Sequence, residues 1–244
     1  MLKVSIITIC LNSSKTISRT LESVRDQKYE LIEHIIIDGN SSDETLKICK
    51  KFGHISKIIS EKDSGVYQAF NKGLKMASGD IVGFLNSDDI FYNSSSLNQI
   101  VNGFKNNIDA VYGNLKFYNN KNKVVRKWIS KPFEKGIFKK AWMPPHPTFY
   151  CKKNIYDKYG NYNESFKIAG DFELMLRFFE SHTIKTKFIS KDLIKMRAGG
   201  ISNSGLLSKI KILNEEFKAF KLNNIVVNKL LYIFNKGLKI KEFL

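Results

Sequence analysis

The chain has 244 residues, 43% of them hydrophobic, and a formal net charge of +17. That apolar content suits one sizeable core with a small appendage, and the excess of lysine and arginine draws anions, whether nucleic acid, an anionic membrane face or phosphorylated small molecules. Cys10, Cys49 and Cys151 form no CxxC pair and have no histidine at ligand spacing, which argues against a zinc site or a disulfide framework and for a reducing, cytoplasmic setting.

The N-terminal MLKVSIITICLN holds a short apolar run. It is too short for a signal peptide, lacks a small-residue cleavage site and leads straight into a helical pattern, so residues 3–9 are expected to form a buried first strand. No stretch reaches the ~20 apolar residues that span a bilayer, and the protein is expected to be neither secreted nor integral to a membrane. Residues 15–27 predict a helix with Ile17, Leu21 and Val24 on one face, and residues 32–37 a second strand. The turn formers Asp38-Gly-Asn-Ser-Ser-Asp follow, with Ser42 or Asp43 placed to cap a helix running to about Phe52. Residues 55–60 predict a third strand, 66–76 a helix, and 81–85 a fourth strand. This alternation implies an α/β fold with right-handed crossovers and a mostly parallel sheet flanked by helices. Ligands bind such sheets beyond the carboxyl ends of the strands, and Asn12, Asp38, Asp63 and Asp88 all fall just after predicted strands.

Residues 109–112, 115–118 and 123–128 read as three short strands, the last two joined by an Asn/Lys turn. Trp142-Met-Pro-Pro-His-Pro reads as a rigid loop, because its prolines fix the backbone and discourage helix. Residues 170–179 return to helix, with Phe172, Met175, Leu176 and Phe179 facing inward. Beyond Ser202, two lysine-rich amphipathic helices are expected, broken near Asn223-Asn224.

Two adjacent carboxylates, Asp88 and Asp89, end the fourth strand in Phe84-Leu-Asn-Ser-Asp-Asp. The pair suits a hard divalent cation, Mg²⁺ or Mn²⁺, which prefers one or two carboxylates plus water and phosphate; the alternative is a solvated turn capping the next helix. Asp38 can accept a hydrogen bond from a base or ribose, or simply form a turn. Asp63 stands in a turn before Gly65, Asn71 can tie loops together or touch substrate, and Lys72 can be a plain surface charge. Asp171 opens a helix, either as a charge favoured by the helix dipole or as a general base. His146 lies between prolines, as a cleft residue or a structural one. Arg197, before Gly199-Gly200, suits a phosphate.

In order, SIITICLN, TLESVRDQ, IIIDGNSSDET and EKDSGVYQAFNKGLKMASGDIVGFLNSDD resemble the donor-binding half of family-2 glycosyltransferases with the GT-A fold, a Rossmann-like nucleotide-diphospho-sugar transferase fold. PPHPTFY, IAGDFELMLRF and MRAGGIS resemble that family's acceptor half, so the likeness runs from about Val4 to Ser202. It is strongest toward bacterial enzymes of surface polysaccharides such as colanic acid and O-antigen. The resemblance implies a glycosyltransferase domain over 1–202, divided into a donor half (1–112) and an acceptor half (113–202), with a basic helical extension over 203–244.

It further implies an inverting, metal-dependent hexosyl transfer from a nucleotide sugar, a UDP-sugar first among candidates, to a glycan hydroxyl, with a lipid-linked acceptor in view. Thr8 and Asn12 would cradle the nucleotide, Asp38 would recognise base or ribose, Asp89 would bind Mn²⁺ or Mg²⁺ with Asp88 supporting, and Asp171 would be the base. Asp63, Asn71 and Lys72 are assigned to the donor side, His146 and Arg197 to the acceptor and phosphate side. Two departures stand out: many relatives carry paired aspartates where this chain has Asp38-Gly39, and Glu-Asp where it has Gly170-Asp171. The first of the two C-terminal helices is expected to cover the sheet; the second, with its lysine-rich flank, either packs likewise or lies on an anionic membrane surface, which would give a peripheral place at the inner face of the cytoplasmic membrane. The rival readings are a nucleic-acid-binding protein and a sugar nucleotidyltransferase. Dispersed lysines without a zinc-finger or RNP signature oppose the first, and Cys-Leu-Asn-Ser-Ser-Lys after the first strand is a poor phosphate loop for the second.

Overall fold

The computed structural model describes residues 1–119, 121, 123–198 and 205–238. Its first half is built as the alternation predicts: β1 (Val4–Cys10), α1 (Ile17–Arg25), β2 (Ile32–Asp38), α2 (Thr45–Cys49), β3 (Ile55–Ser60), α3 (Val66–Met76) and β4 (Ile81–Phe84). These four strands pair in parallel in the order β3-β2-β1-β4. β1, β2 and β4 are Ile/Val-rich because helices cover both faces of the sheet. Ile7, Ile35 and Ile37 pack toward Phe70 and Leu74 of α3, whereas Val4 and Ile6 pack toward Val24 of α1 on the other side. α1 buries Ile17, Leu21 and Val24, the predicted stripe. α3 lies close on β1: a Cβ at Gly73 would sit 2.4 Å from Ile7 Cγ2.

The second half adds β5 (Ile90–Phe91), α4 (Ser96–Asn102), β6 (Ala110–Tyr118), β7 (Val124–Trp128), β8 (Tyr150–Lys152), α5 (Lys153–Tyr159), α6 (Gly170–Leu176), β9 (Thr186–Arg197), α7 (Gly205–Leu222) and α8 (Lys229–Leu238). A π-helical turn over Arg177–Ser181 extends α6. The sheet runs β3-β2-β1-β4-β8-β6-β9-β5, with β7 beside β6. β8 is antiparallel to both β4 and β6, and β9 is parallel to β6. The parallel expectation therefore holds for the first four strands, and the far half is mixed. Residues 110–118 form one strand rather than two; the pairing with β9 shifts register around Gly113 and Asn114 instead of breaking. Gly113 permits this, because a Cβ there would meet Leu193 Cδ1 at 2.5 Å.

α7 and α8 meet where the sequence places the break: α7 ends at Leu222, and Asn224 takes a left-handed backbone (φ 55°). α7 belongs to the main body. Its Phe220 is fully buried against Phe172 of α6, with ring centroids 5.5 Å apart. Among the described residues, no helix is long and apolar enough to cross a membrane.

Candidate functional site

β1, β2 and β4 end side by side, Cys10 opposite Asp38 and Ile7 opposite Phe84, so the loops that follow share one edge of the sheet. Short polar side chains join these loops. The Asn12 amide donates to Ser41 Oγ (2.8 Å), and the Ser42 amide donates to Asn12 Oδ1 (2.9 Å). Ser13 and Ser87 hydroxyls bond at 2.8 Å, linking the β1 loop to the β4 loop. Asn12 has φ 49°, a left-handed conformation that asparagine tolerates. It organises the loop from its exposed tip.

Thr8 is not in that loop. It is a fully buried residue of β1 whose hydroxyl bonds His34 Nε2 at 3.0 Å, because strand alternation turns it into the layer beneath α1 and α2. Asp38 stands at the predicted place, yet its side chain turns inward and is fully buried. Its carboxylate accepts from the Ser41 amide (2.9 Å), Ser41 Oγ and Ser60 Oγ (2.7 Å), with Cys10 Sγ at 3.6 Å. With its lone pairs engaged, Asp38 ties the β2 loop to the ends of β1 and β3. Asp63, in the loop after β3, keeps about 10% of its side chain exposed. A Cβ at Gly39 would lie 3.5 Å from both Asp63 Oδ2 and Leu11 Cδ1, so these three positions adjoin one another. Lys72 orients Asp63 from α3, with Nζ 2.7 Å from Asp63 Oδ1 and 2.9 Å from Glu61 Oε1.

The β4 loop leads to a cleft of about 250 Å³ lined by Lys15, Thr16, Arg19, Asp88, Tyr118 and Arg197. Tyr118 and Arg197 are paired at the carboxyl ends of the parallel strands β6 and β9. The Tyr118 hydroxyl donates to the Asp88 carbonyl (3.0 Å), and the Arg19 guanidinium lies 5.3 Å over its ring. The two aspartates are placed differently. Asp88 opens into the cleft, while Asp89 is fully buried, accepting from Asn86 Nδ2 at 3.2 Å. The reason is the turn after β4: the Asp89 carbonyl receives the Thr20 hydroxyl of α1 (2.8 Å), which draws residue 89 under the helix and leaves 88 outside. Burial raises the pKa of Asp88, opposed by the nearby Arg197 charge. Burial and then the charge of Asp88 hold Asp89 well above the usual carboxylate range.

Asn71 of α3 bridges to the loop before α6, donating to the Tyr162 carbonyl (2.9 Å) and accepting the Tyr162 amide (3.0 Å). His146 is structural: it is buried, bonded to the Tyr162 hydroxyl (2.7 Å) and stacked on Phe70 and Phe84. Burial lowers its pKa to about 4, leaving a neutral imidazole at pH 7.

Asp171 lies in the first turn of α6, half-buried, its Oδ1 accepting the Phe172 amide at 2.8 Å. Burial, and after it the Glu216 carboxylate, raise its pKa to about 6; the Phe172 amide and Lys236 oppose the rise. That value suits a proton acceptor near neutral pH. Tyr67, in the first turn of α3 at the carboxyl edge of β3, bonds both sides of the α6 start: its hydroxyl accepts the Gly170 amide and donates to the Ile168 carbonyl, each at 2.7 Å. Gly170 lies under this ring. A Cβ there would be 2.7 Å from Tyr67 Cε2, which is why glycine precedes Asp171.

Sequence reasoning missed the cations Lys15 and Arg19. It also missed Glu215, whose carboxylate accepts the Lys167, Ile168 and Ala169 amides (2.8, 2.9 and 2.7 Å) and caps α6 from α7. Acidic residues in a lysine-rich tail were the available signal.

Comparison with known proteins fits this geometry. Residues 5–168 match the model of Glycosyl transferase family 2. The Escherichia coli UDP-Glc:alpha-D-GlcNAc-diphosphoundecaprenol beta-1,3-glucosyltransferase WfgD is 38% identical over 129 residues, covering 52% of this chain and 51% of that protein. S. aureus TarS 1-349, solved in complex with UDP-GlcNAc, superposes with a TM-score of 0.70 at 17% identity over 98% of this chain and 73% of that one. The mannosyltransferase PcManGT from Pyrobaculum calidifontis, solved with GDP-Man and Mn²⁺, gives a TM-score of 0.68 at 15% identity over 90% and 63%. The likeness to the two solved structures establishes the fold.

Proposed function

The chain belongs to glycosyl transferase family 2, and from that premise we propose that it moves a sugar from a UDP-sugar to a hydroxyl of a lipid-linked glycan, with inversion at the anomeric carbon, at the inner face of a bacterial cytoplasmic membrane. The observation that carries this reading is the cleft at Asp88. One carboxylate stands among Lys15, Arg19 and Arg197 at the N-terminus of α1, an arrangement suited to a diphosphate. WfgD, whose name gives a UDP-sugar donor and a diphosphoundecaprenol acceptor, supports the choice of substrates.

The residues fit a divalent cation, Mn²⁺ or Mg²⁺. Among the described residues no three metal-ligating side chains cluster, as expected for an ion that takes few protein ligands and the rest from phosphate and water. Asp88 would hold it directly, and Asp89, whose buried Oδ1 lacks a hydrogen-bond donor, would support it from below. Bound there, the ion would neutralise charge on the departing nucleotide.

The protein groups do the rest. Asp63, beside Leu11 and Gly39, accepts from the base, with Lys72 fixing that carboxylate. Lys15, Arg19 and Arg197 hold the diphosphate. Asp171 Oδ2 takes the proton from the acceptor hydroxyl, whose oxygen attacks the anomeric carbon opposite the nucleotide, so the bond to the diphosphate breaks as the new glycosidic bond forms. Asn71 and Tyr67 fix the Asp171 segment against α3, which carries Lys72 as well, so donor and acceptor sides share one rigid support.

A thermal-shift screen of UDP, GDP and dTDP sugars with and without Mn²⁺ tests the reading. Metal-dependent stabilisation by a UDP-sugar is expected. Equal, metal-independent shifts with all three would refute the donor assignment.

A further inference from the structure

α8 is fastened by one side and bare on the other. Tyr232 is buried between Phe217 and Phe220, with ring centroids 5.5 and 5.4 Å away, and Lys236 pairs with the buried Glu216. Both inward residues lie on one helical stripe, four residues apart. The opposite stripe is Leu230, Phe234 and Leu238, flanked by Leu231. Leu230 is 81% exposed, Phe234 62% and Leu231 52%. Single apolar residues at a surface need no explanation, but here they align along a whole helix.

Charge argues for what covers them. α8 carries no acidic residue, Lys221 and Lys229 are exposed at its near end, and Lys239 and Lys241 follow in the sequence. An apolar stripe bounded by lysines is the signature of a helix lying in the plane of an anionic membrane surface. A second copy would bring one +17 chain against another, which disfavours self-association. The inner side of α8 packs near Asp171, since Tyr232 meets Phe220 and Phe220 meets Phe172, the residue after Asp171, with ring centroids 5.4 and 5.5 Å apart.

We propose that the outer face of α8 docks on an anionic lipid bilayer, seating Leu230, Phe234 and Leu238 at the headgroup–acyl boundary and bringing Asp171 to a membrane-borne acceptor. The second half of this statement rests on the lipid-linked acceptor proposed above; the docking itself does not.

The test is co-sedimentation of the full chain with vesicles of phosphatidylcholine alone or mixed with phosphatidylglycerol, for the parent and for Leu230→Glu/Phe234→Glu. Both substitutions leave Tyr232 and Lys236 in place, and the melting temperature checks the fold. The parent should sediment with the anionic vesicles and be released by salt, and the variant's partition should fall about tenfold or more. Equal partition of parent and variant overturns the proposal, as does a parent that ignores anionic vesicles or buries the stripe in a dimer by sedimentation velocity. Hydrolysis of the UDP-sugar in water, measured alongside, separates the two ideas. A variant with parental hydrolysis and lost vesicle binding supports docking, whereas a parent that binds vesicles but no UDP-sugar refutes the donor assignment and leaves docking standing.

Discussion

Replacing Glu215 by alanine should loosen the start of α6 and cost both stability and turnover. Its carboxylate accepts three backbone amides, from Lys167, Ile168 and Ala169, at 2.7 to 2.9 Å. A hydrogen bond to a charged group contributes about 1.5–3 kcal/mol net. The Lys167 amide is exposed and regains water in the variant, whereas Ala169 is buried and its amide does not. Discounting for the half-exposed Glu215, the loss is about 2–4 kcal/mol, which at this size lowers the melting temperature by roughly 4–16 °C. Glu215→Gln keeps one acceptor oxygen and should lose about half as much. Asp171 lies two residues beyond the last capped amide, so turnover should fall about tenfold through misplacement, with donor affinity unchanged. Thermal unfolding by circular dichroism, steady-state transfer assays and calorimetry with the UDP-sugar read the three quantities. A Glu215→Ala chain within about 0.5 kcal/mol of the parent and with full turnover would falsify the capping argument.

Asp171→Asn should lower kcat by about 10²–10⁴-fold and leave donor binding intact. Because the folded-state pKa of Asp171 is raised to about 6, the native chain holds a proton that the unfolded chain has released, and stability falls as pH rises from the ordinary aspartate range through about 6. The asparagine variant escapes that loss, so it should be more stable than the parent by about 1–3 kcal/mol at pH 7 and converge with it at acid pH; an equal difference at both pH values, in urea melts, contradicts the shift. For the parent, kcat should climb with pH through about 6 and then level. Asp88→Asn should reduce Mn²⁺-dependent donor affinity more than Asp89→Asn, the latter by about 10–100-fold as for a residue behind the ligand; calorimetry giving the reverse order would restore Asp89 as the direct ligand. Gly170→Ala drives a Cβ to 2.7 Å from the Tyr67 ring and should cost about 1–3 kcal/mol, and an unchanged melting temperature would show that Tyr67 moves freely.

The sequence by itself determined the parallel half of the sheet and the edge on which its polar loops converge. Ile/Val runs separated by amphipathic stripes are local patterns, and they locate β1 to β4 and α1 within a few residues because burial on both faces demands them. Strand ends carrying Asn12, Asp38, Asp63 and Asp88 follow from the same alternation. β8 and β9 were not legible. β8 has three residues, and β9 (TKFISKDLIKMR) mixes lysines into a half-exposed strand, so neither shows a clean period. Only the tertiary structure decided which way each side chain faces. Thr8 and Asp38 turn into the core, and Asp89 is drawn under α1 by Thr20 while Asp88 is left in the cleft. Glu215 reaches its amides across 46 to 48 residues of sequence, and Tyr67 reaches Gly170 across 103. Such contacts depend on where separate elements come to rest, and no pattern of neighbouring residues encodes them.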